Sequence, residues 1–329
     1  MAKGKVLNWG ILSTAKINRA LLPPLRMSKR SRLLAVASRT QDKASSYAKE
    51  NGIPRAYGSY EALLADPEID VIYNPLPNHL HAAWTIHAVE AGKHVLCEKP
   101  LALTLQEVDA ITAAARSHGR IVAEALMYRS HPLMQRVLQI VQEGKLGRLQ
   151  LVRGSFTYKG TSPDDYRLQP EMGGGSLYDV GIYPLSYARR VLGSEPVEAF
   201  GWQVTGPTGV DAAFYGQLRF PGEVFVQFDC SMTTPYHVFM EIIGDEGTLI
   251  VPQPFNPVEK ERLFLTKDGK TQTIQVNGLG TYLGEVEDMA DAVLLGKLQA
   301  VPLEDSRGSL AAILALFESA KSGRPVRLP

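Results

Sequence analysis

The chain has 329 residues, with 35 Lys and Arg against 34 Asp and Glu for a formal net charge of +1. That length suggests two domains, or one large one, with ample material for a buried core. The near-neutral charge, with no Lys/Arg block, argues against nucleic acid or an anionic membrane as partner.

Cys97 and Cys230 make neither a disulfide framework nor a metal-ligand pattern. The first residues run into a strand without a signal-peptide apolar region, and no apolar run of about 18 residues is present to span a bilayer. A soluble cytoplasmic protein is expected.

The first third alternates strands and helices. Strands are predicted over 6–12, 33–38, 69–74, 94–97 and 120–124. Between them lie helices from about residue 15, over 44–51 (ended by Gly52), 60–65, 80–91 (stopped by Gly92) and 105–117 (Gly119 just beyond). This βαβα rhythm with short connections implies a parallel sheet covered on both faces, a doubly wound α/β domain over residues 1–125.

After Pro132 the rhythm changes. A helix over 133–143 precedes strand candidates near 148–158, 197–205, 211–220, 223–232, 237–243, 247–251, 261–267 and 271–276. Pro221-Gly222, Asp245-Glu246-Gly247 and Asp268-Gly269 are turn signals between them, so residues 126–329 should hold a large, mostly antiparallel sheet. Helices around 177–192, 284–296 and 305–322 can cover one face. The other face is free to pair with a copy of itself, predicting a homodimer or homotetramer.

One stretch organises the first domain. Residues 94–97 bring an extended apolar strand into Glu98-Lys99-Pro100, where Pro100 bars Lys99 from a helix and removes a backbone donor. An ammonium group is thereby placed at the carboxyl end of a strand, where open α/β sheets bind ligands. Taken alone, a Lys-Pro pair more often describes a surface lysine after an edge strand; its surroundings reverse that.

A second stretch, Trp9 through Asn18, sits where a dinucleotide fingerprint belongs, between the first strand and first helix. The G-x-G-x-x-G pattern reads Ser13-x-Ala15-x-x-Asn18, with every glycine substituted. Small residues at 13 and 15 still let a pyrophosphate approach the helix amides, and Thr14 adds a hydroxyl. The alternative is a plain turn capped by Ser13 or Thr14. At the end of the second strand, NAD enzymes usually carry an acid for the ribose 2′-hydroxyl. Here stand Ser38 and Arg39, with Lys43 one turn on. A hydroxyl and two cations suit a 2′-phosphate and favour NADP, with NAD possible; the alternative is a solvated basic helix start.

With these pieces in place the sequence resembles the glucose–fructose oxidoreductase / inositol dehydrogenase (Gfo/Idh/MocA) family over essentially its whole length. The matching segments are 11–18, 37–39, 75–81, 91–100, 127–132 (Met-Tyr-Arg-Ser-His-Pro) and 173–184, in that order. It is most similar to the NADP-dependent sugar dehydrogenases of D-xylose 1-dehydrogenase type and to dimeric trans-1,2-dihydrodiol dehydrogenases. The resemblance implies an N-terminal Rossmann domain and a C-terminal α/β domain whose open sheet packs in oligomers. It also implies that Ser13, Thr14, Ala15, Lys16 and Ile17 hold the pyrophosphate, and that Ser38, Arg39 and Lys43 hold the adenosine ribose phosphate. Leu76, Pro77, Asn78, His81, Glu98 and Lys99 would line the ribose and nicotinamide. Tyr166-Arg167, an aromatic-Arg pair ahead of the triple glycine, and Tyr282, ahead of the penultimate helix, would reach the cofactor too.

Oxidising an alcohol needs a hydride acceptor above the carbon and a base for the hydroxyl proton. The Asp179-x-x-x-Tyr183 spacing puts both side chains on one helix face. Many relatives carry histidine at the later position. A free phenol titrates near ~10, and a neighbouring ammonium favours the phenolate. The expected roles are Tyr183 taking the hydroxyl proton, Lys99 tuning it and bonding the substrate oxygen, and Asp179 orienting the sugar or Lys99. The bland alternatives are a first-turn helix acid for Asp179 and a half-buried core residue for Tyr183.

His79, His81, His87 and His94 straddle a helix start, a helix and a strand, so no metal site is expected. Gly173-Gly174-Gly175 lacks the G-K-[ST] continuation of a phosphate loop and reads as a mobile connection into the catalytic helix. The leading expectation is an NADP-dependent dehydrogenase taking C1 of an aldose, D-xylose or D-glucose first, to the lactone. Alternatives are a dihydrodiol dehydrogenase, a keto-sugar reductase, or a dinucleotide-binding regulator without catalysis.

Overall fold

In a computed structural model, which describes residues 5–328, the first third forms the expected parallel sheet. The first four residues, on which the reading of a leaderless start bears, lie outside that range. The strands are β1 (Leu7–Leu12), β2 (Ser31–Ala37), β3 (Arg55–Tyr57), β4 (Val71–Asn74), β5 (His94–Glu98) and β6 (Val122–Ala125). They lie in the order β3-β2-β1-β4-β5-β6, every pairing parallel. Connecting them are α1 (Asn18–Met27), α2 (Gln41–Glu50), α3 (Tyr60–Leu64), α4 (His81–Glu90) and α5 (Leu105–His118). The strand order reverses between β1 and β4, which makes their carboxyl ends the switch point where such sheets take ligands.

Local chemistry sets these boundaries. Thr104 and Glu107 form a reciprocal capping box at the start of α5, and Gly119 ends it in the left-handed conformation. Leu7, Trp9, Ile11 and Leu12 have no exposed surface because both faces of β1 are covered.

The chain divides into two compact units, residues up to Leu126 with Tyr282–Arg307, and Met127–Thr281 with the chain from Gly308. Helix α8 (Leu283–Leu295) therefore does not cover the antiparallel sheet, as its position in the sequence suggested. Its Val286, Met289 and Ala290 join Trp9, Ile11, Tyr73, Leu96 and Leu21 in the core of the first unit. Its apolar stripe announces burial but not the partner. Each of the larger side chains contributes roughly 1.5–3 kcal/mol by that burial.

The second unit holds α6 (Pro132–Gln142), β7 (Leu149–Lys159), α7 (Ile182–Leu192), β8 (Glu198–Thr205), β9 (Asp211–Phe220), β10 (Val224–Ser231) and β11 (Thr233–Gly244). After these come β12 (Gly247–Val251), β13 (Lys260–Lys267) and β14 (Lys270–Asn277). Helix α9 (Leu303–Ser322) and β15 (Val326–Arg327) end the chain. The sheet runs β14-β13-β12-β11-β7-β10-β9-β8-β15, antiparallel except where β7 meets β10. Register alternates its two faces. Phe214, Val226, Phe228, Met240 and Ile242 are buried, whereas Trp202, Tyr215, Phe225 and Ile250 are exposed. Among the described residues, no helix is long and apolar enough to cross a membrane.

Candidate active site

Helix α1 begins at Asn18, three residues later than expected, and leaves 13–17 as an irregular turn after β1. Ser13, at the first glycine position of the fingerprint, has φ 74°, the left-handed backbone that glycine favours. Asn18 Nδ2 donates to the Ser13 carbonyl at 3.0 Å and folds the turn back. Ser13 Oγ and Asn18 Oδ1 are buried with no hydrogen-bond partner among the described residues. Buried polar atoms are normally bonded. A hydroxyl donor and an amide acceptor left open at a helix start fit a phosphate and a ribose hydroxyl, so this turn fits a dinucleotide.

Thr14, Ala15, Lys16 and Lys43 line one cleft, together with Arg19 and Tyr47. Asp42 and Glu50 line it too. Arg19 escaped the sequence reading, although it lies one helical turn from Lys16 and so presents a second cation on the same side. Ser38 is buried just past β2, its N–H bonded to the Tyr57 carbonyl at 3.0 Å, and Arg39 beside it is exposed.

At the end of β5, Lys99 is 9% exposed, which rules out the surface-lysine alternative. The segment around it is anchored on both sides. The Leu101 N–H donates to Glu124 Oε1 at 2.8 Å. His81 sits with Nδ1 2.7 Å from the Pro100 carbonyl and Nε2 2.6 Å from the Leu76 carbonyl, between two segments expected to line the nicotinamide, and as a neutral ring it donates to one of them. Burial pushes the His81 imidazole down to about 4, with both carbonyls opposing.

Glu98 is the centre of an acidic cluster. Tyr73 donates its hydroxyl to Glu98 Oε1 at 2.5 Å, and burial, then Glu98, push that phenol well up. Burial, then Glu98 and Glu285, also raise Tyr282, which immediately precedes α8. Glu285 is 5% exposed with neither carboxylate oxygen bonded. Burial first and Glu98 second push it well above its ordinary value. Tyr73 and Glu285 carried no motif. Their signal was position: Tyr73 on the strand at the switch point, Glu285 one turn after Tyr282.

In the second unit, the helix expected over 177–192 opens as a π-helical turn, Leu177–Gly181, before α7. The Ile182 N–H reaches back five residues to the Leu177 carbonyl. Pro184 has no N–H for the Val180 carbonyl, and the wider turn absorbs the missing bond. A side chain at Gly181 would press on Cys230 Sγ and Leu177 Cδ1 at 2.7 Å, so the turn could lie against β10 only if those side chains shifted.

Asp179, 6% exposed, sits on this turn between two donors. Arg167 Nε stands 2.9 Å from Oδ1 and the Tyr158 hydroxyl 2.7 Å from Oδ2. Against the desolvation of burial, Asp179 holds the guanidinium above its ordinary value, and burial plus the same carboxylate push Tyr158 up. Arg167 also lies 4.7 Å over the Tyr166 ring and 3.2 Å from Asp165. Tyr158, too, escaped the sequence reading, being one aromatic in an alternating strand. Tyr183 is 6% exposed, its ring against Phe156, Phe255 and Tyr128 at 5.2, 5.5 and 5.9 Å between centroids. Its hydroxyl lies 3.8 Å from Met127 Sδ. Lys99 belongs to the first unit, Asp179 and Tyr183 to the second.

Comparison with known proteins agrees with this fold. Residues 7–126 match the family model described as an oxidoreductase family with NAD-binding Rossmann fold, and 134–250 match the GFO/IDH/MocA C-terminal domain. A D-xylose 1-dehydrogenase (NADP(+)) of Haloferax volcanii is 37% identical over 324 residues, 97% of this chain and 99% of that one. An aldose-aldose oxidoreductase from Caulobacter crescentus, solved with glycerol, superimposes with a TM-score of 0.91 at 27% identity, covering 98% of this chain and all of that one. A 3-ketoreductase from Actinomadura kijaniata, solved with NADP and TDP-benzene, gives 0.90 at 28% identity, covering 96% of this chain and 98% of that one. With both halves of the chain matched by the family's models and relatives, this chain belongs to the Gfo/Idh/MocA family of NAD-binding oxidoreductases.

Proposed function

We propose that the protein is an NADP-dependent dehydrogenase of aldoses, oxidising C1 to the lactone, with D-xylose and D-glucose the first substrates to try. The observation that carries this reading is the buried Asp179 carboxylate, held by Tyr158 and Arg167 on the helical segment that also bears Tyr183. Such a cluster suits a substrate recognised through hydroxyl groups, and the names of two relatives, one a D-xylose dehydrogenase and one an aldose oxidoreductase, point the same way.

A bound nicotinamide supplies the hydride acceptor. The chain's residues do the rest. Ser13, Thr14, Ala15, Lys16 and Ile17 hold the pyrophosphate; Ser38, Arg39 and Lys43 hold the ribose phosphate. Leu76, Pro77, Asn78, His81, Glu98, Tyr166 and Tyr282 line the cofactor. Tyr183 takes the proton of the C1 hydroxyl, Lys99 bonds the same oxygen, and Asp179 orients the sugar. In the reverse direction the same groups donate the proton and polarise the carbonyl. A second reading, reduction of a keto sugar, draws on the 3-ketoreductase likeness.

The test is NADPH formation over a panel of pentoses, hexoses and keto sugars. Lys99→Met should bind NADPH within a few-fold of wild type while kcat falls by ~1000-fold; near-normal turnover would overturn the role of Lys99. We also read the exposed sheet face bearing Trp202, Tyr215 and Phe225 as the contact between copies, in a homodimer or homotetramer. A monomeric mass by light scattering would refute it.

A further inference from the structure

A carboxylate outside the residues discussed so far grips the segment on which Asp179 and Tyr183 ride. Asp211, the first residue of β9, is 4% exposed. Its Oδ2 accepts from the Ser176 hydroxyl at 2.7 Å and from the Leu177 N–H at 2.7 Å, the two residues that open the π-helical turn. Ser176 is itself fully buried and accepts from Cys230 Sγ at 3.5 Å. Gly175 has φ 117°, and a Cβ there would overlap Asp211 Oδ1. The last glycine of the triple-glycine run is thus required by the carboxylate, and that end of the loop is a seated joint.

We propose that Asp211 is a positioning residue for the reaction: its carboxylate clasps the start of the segment carrying Asp179 and Tyr183, and its ionisation decides whether that segment is held. This rests on the reading of Asp179 and Tyr183 given above. The argument is one of lever geometry. Asp179 follows Leu177 by two residues and Tyr183 follows it by six, so a turn released at Leu177 moves both. The Asp179 N–H, bonded to the Gly175 carbonyl at 3.1 Å, shares the joint directly.

The donors on Asp211 are neutral, and a carboxylate buried among neutral donors is expensive to keep charged. Burial accordingly pushes the group up to about 6, with the Ser176 and Leu177 hydrogen bonds opposing. The titratable groups on the elements packed against β9 are Glu198 of β8, Asp229 and Cys230 of β10, and Tyr178 and Asp179 of the turn. Burial, then Asp211, hold the Cys230 thiol well above its ordinary value, so it stays neutral. Below about pH 6 the acid gains a proton, and a neutral carboxyl accepts hydrogen bonds more weakly than a carboxylate, so its grip on Ser176 and Leu177 loosens.

The experiment compares full-length wild type with Asp211→Asn, and with Ser176→Ala in case the first variant folds poorly. Three quantities are measured from pH 5 to 8: kcat and KM with the best sugar, the NADPH dissociation constant, and amide exchange of the 174–184 peptide. Wild type should lose kcat/KM below about pH 6, with exchange rising in step. Asp211→Asn should show faster exchange and a kcat/KM lowered ~10- to 100-fold at pH 7.5, without the limb near pH 6 and with NADPH binding within threefold. Ser176→Ala should shift both readouts in the same direction by less. A variant with wild-type exchange, or one keeping the wild-type acid limb, overturns the proposal, as does a fall in melting temperature with kcat/KM per folded molecule unchanged. Should no sugar be turned over by wild type, the functional reading fails, while the exchange step still decides the role of Asp211.

Discussion

Replacing Arg167 with methionine removes the guanidinium from Asp179 and keeps an aliphatic stem of similar reach. Two limits bracket the cost. An exposed ion pair is worth up to about 1 kcal/mol, whereas stripping one partner from a buried pair costs about 3–5 kcal/mol. The Asp179 side chain is 7% exposed and that of Arg167 is 32% exposed, so the pair falls between. Tyr158 remains as a donor to the stranded carboxylate. About 2 kcal/mol is therefore expected, and at 1.4 kcal/mol per factor of ten that is roughly 30-fold. The loss should appear in kcat/KM for the sugar, because Asp179 is the group displaced. Initial rates of NADPH formation give that quantity, and quenching of protein fluorescence gives the NADPH dissociation constant, expected within threefold of wild type. An affinity loss for NADPH with the sugar parameters intact would refute this reasoning. It would mean that Arg167 serves the cofactor, as the aromatic-Arg motif implies.

Arg39→Ala should weaken NADP ~10-fold or more and NAD under threefold, since a charge-assisted bond to a 2′-phosphate has no counterpart in NAD; equal losses in a titration of both would exclude a 2′-phosphate contact. Stability should fall on acidification. Burial holds His81 and His94 down to about 4 against 6.5 for the free side chain. Both stay neutral in the fold while the unfolded chain takes up protons, so stability is lost as pH drops from about 6.5 towards 4, by about 3 kcal/mol for the fully buried His81. His94 Nδ1 accepts from the Ile121 N–H at 2.9 Å. His94→Gln, which keeps an acceptor but cannot charge, should flatten that slope in urea titrations; an unchanged slope would show that His94 does not contribute.

Most of the fold was legible because its signals are local. Alternating runs gave the strands of the second sheet, and glycines such as Gly119 marked helix ends. The exceptions have physical causes. Strands β3 and β15, three and two residues long, are too short to show a period. The π turn cannot be told from an α-helix by apolar spacing over five residues, though Pro184 marks where the ladder must break. Helix α8 was recognisably amphipathic, but the partner of an apolar stripe is fixed by topology and not by composition.

The site was legible in a different proportion, and the reason lies in how its charges are balanced. Residues that would meet a ligand sit in short motifs, because a strand end or a tight turn must present several groups at once. Lys99 with Glu98 and Pro100 is one case, and Ser13 through Ile17 another. Residues that hold those groups in place are under no such constraint. The partners of Asp179 come from a strand, Tyr158, and from a loop, Arg167; the donors to Asp211 come from a turn 34 and 35 residues upstream. Each needs only a compatible side chain at the right point in space, and many backbone routes reach it. Burial makes these contacts consequential: a carboxylate 4–6% exposed is poorly solvated by water, so its position follows whatever donors the fold brings to it. Asp179 and Asp211 lie within reach of the same short turn, one clasped by a cation and a phenol, the other by neutral donors alone. The second can therefore change charge near neutral pH, and the anchorage of the turn carries the pH dependence with it.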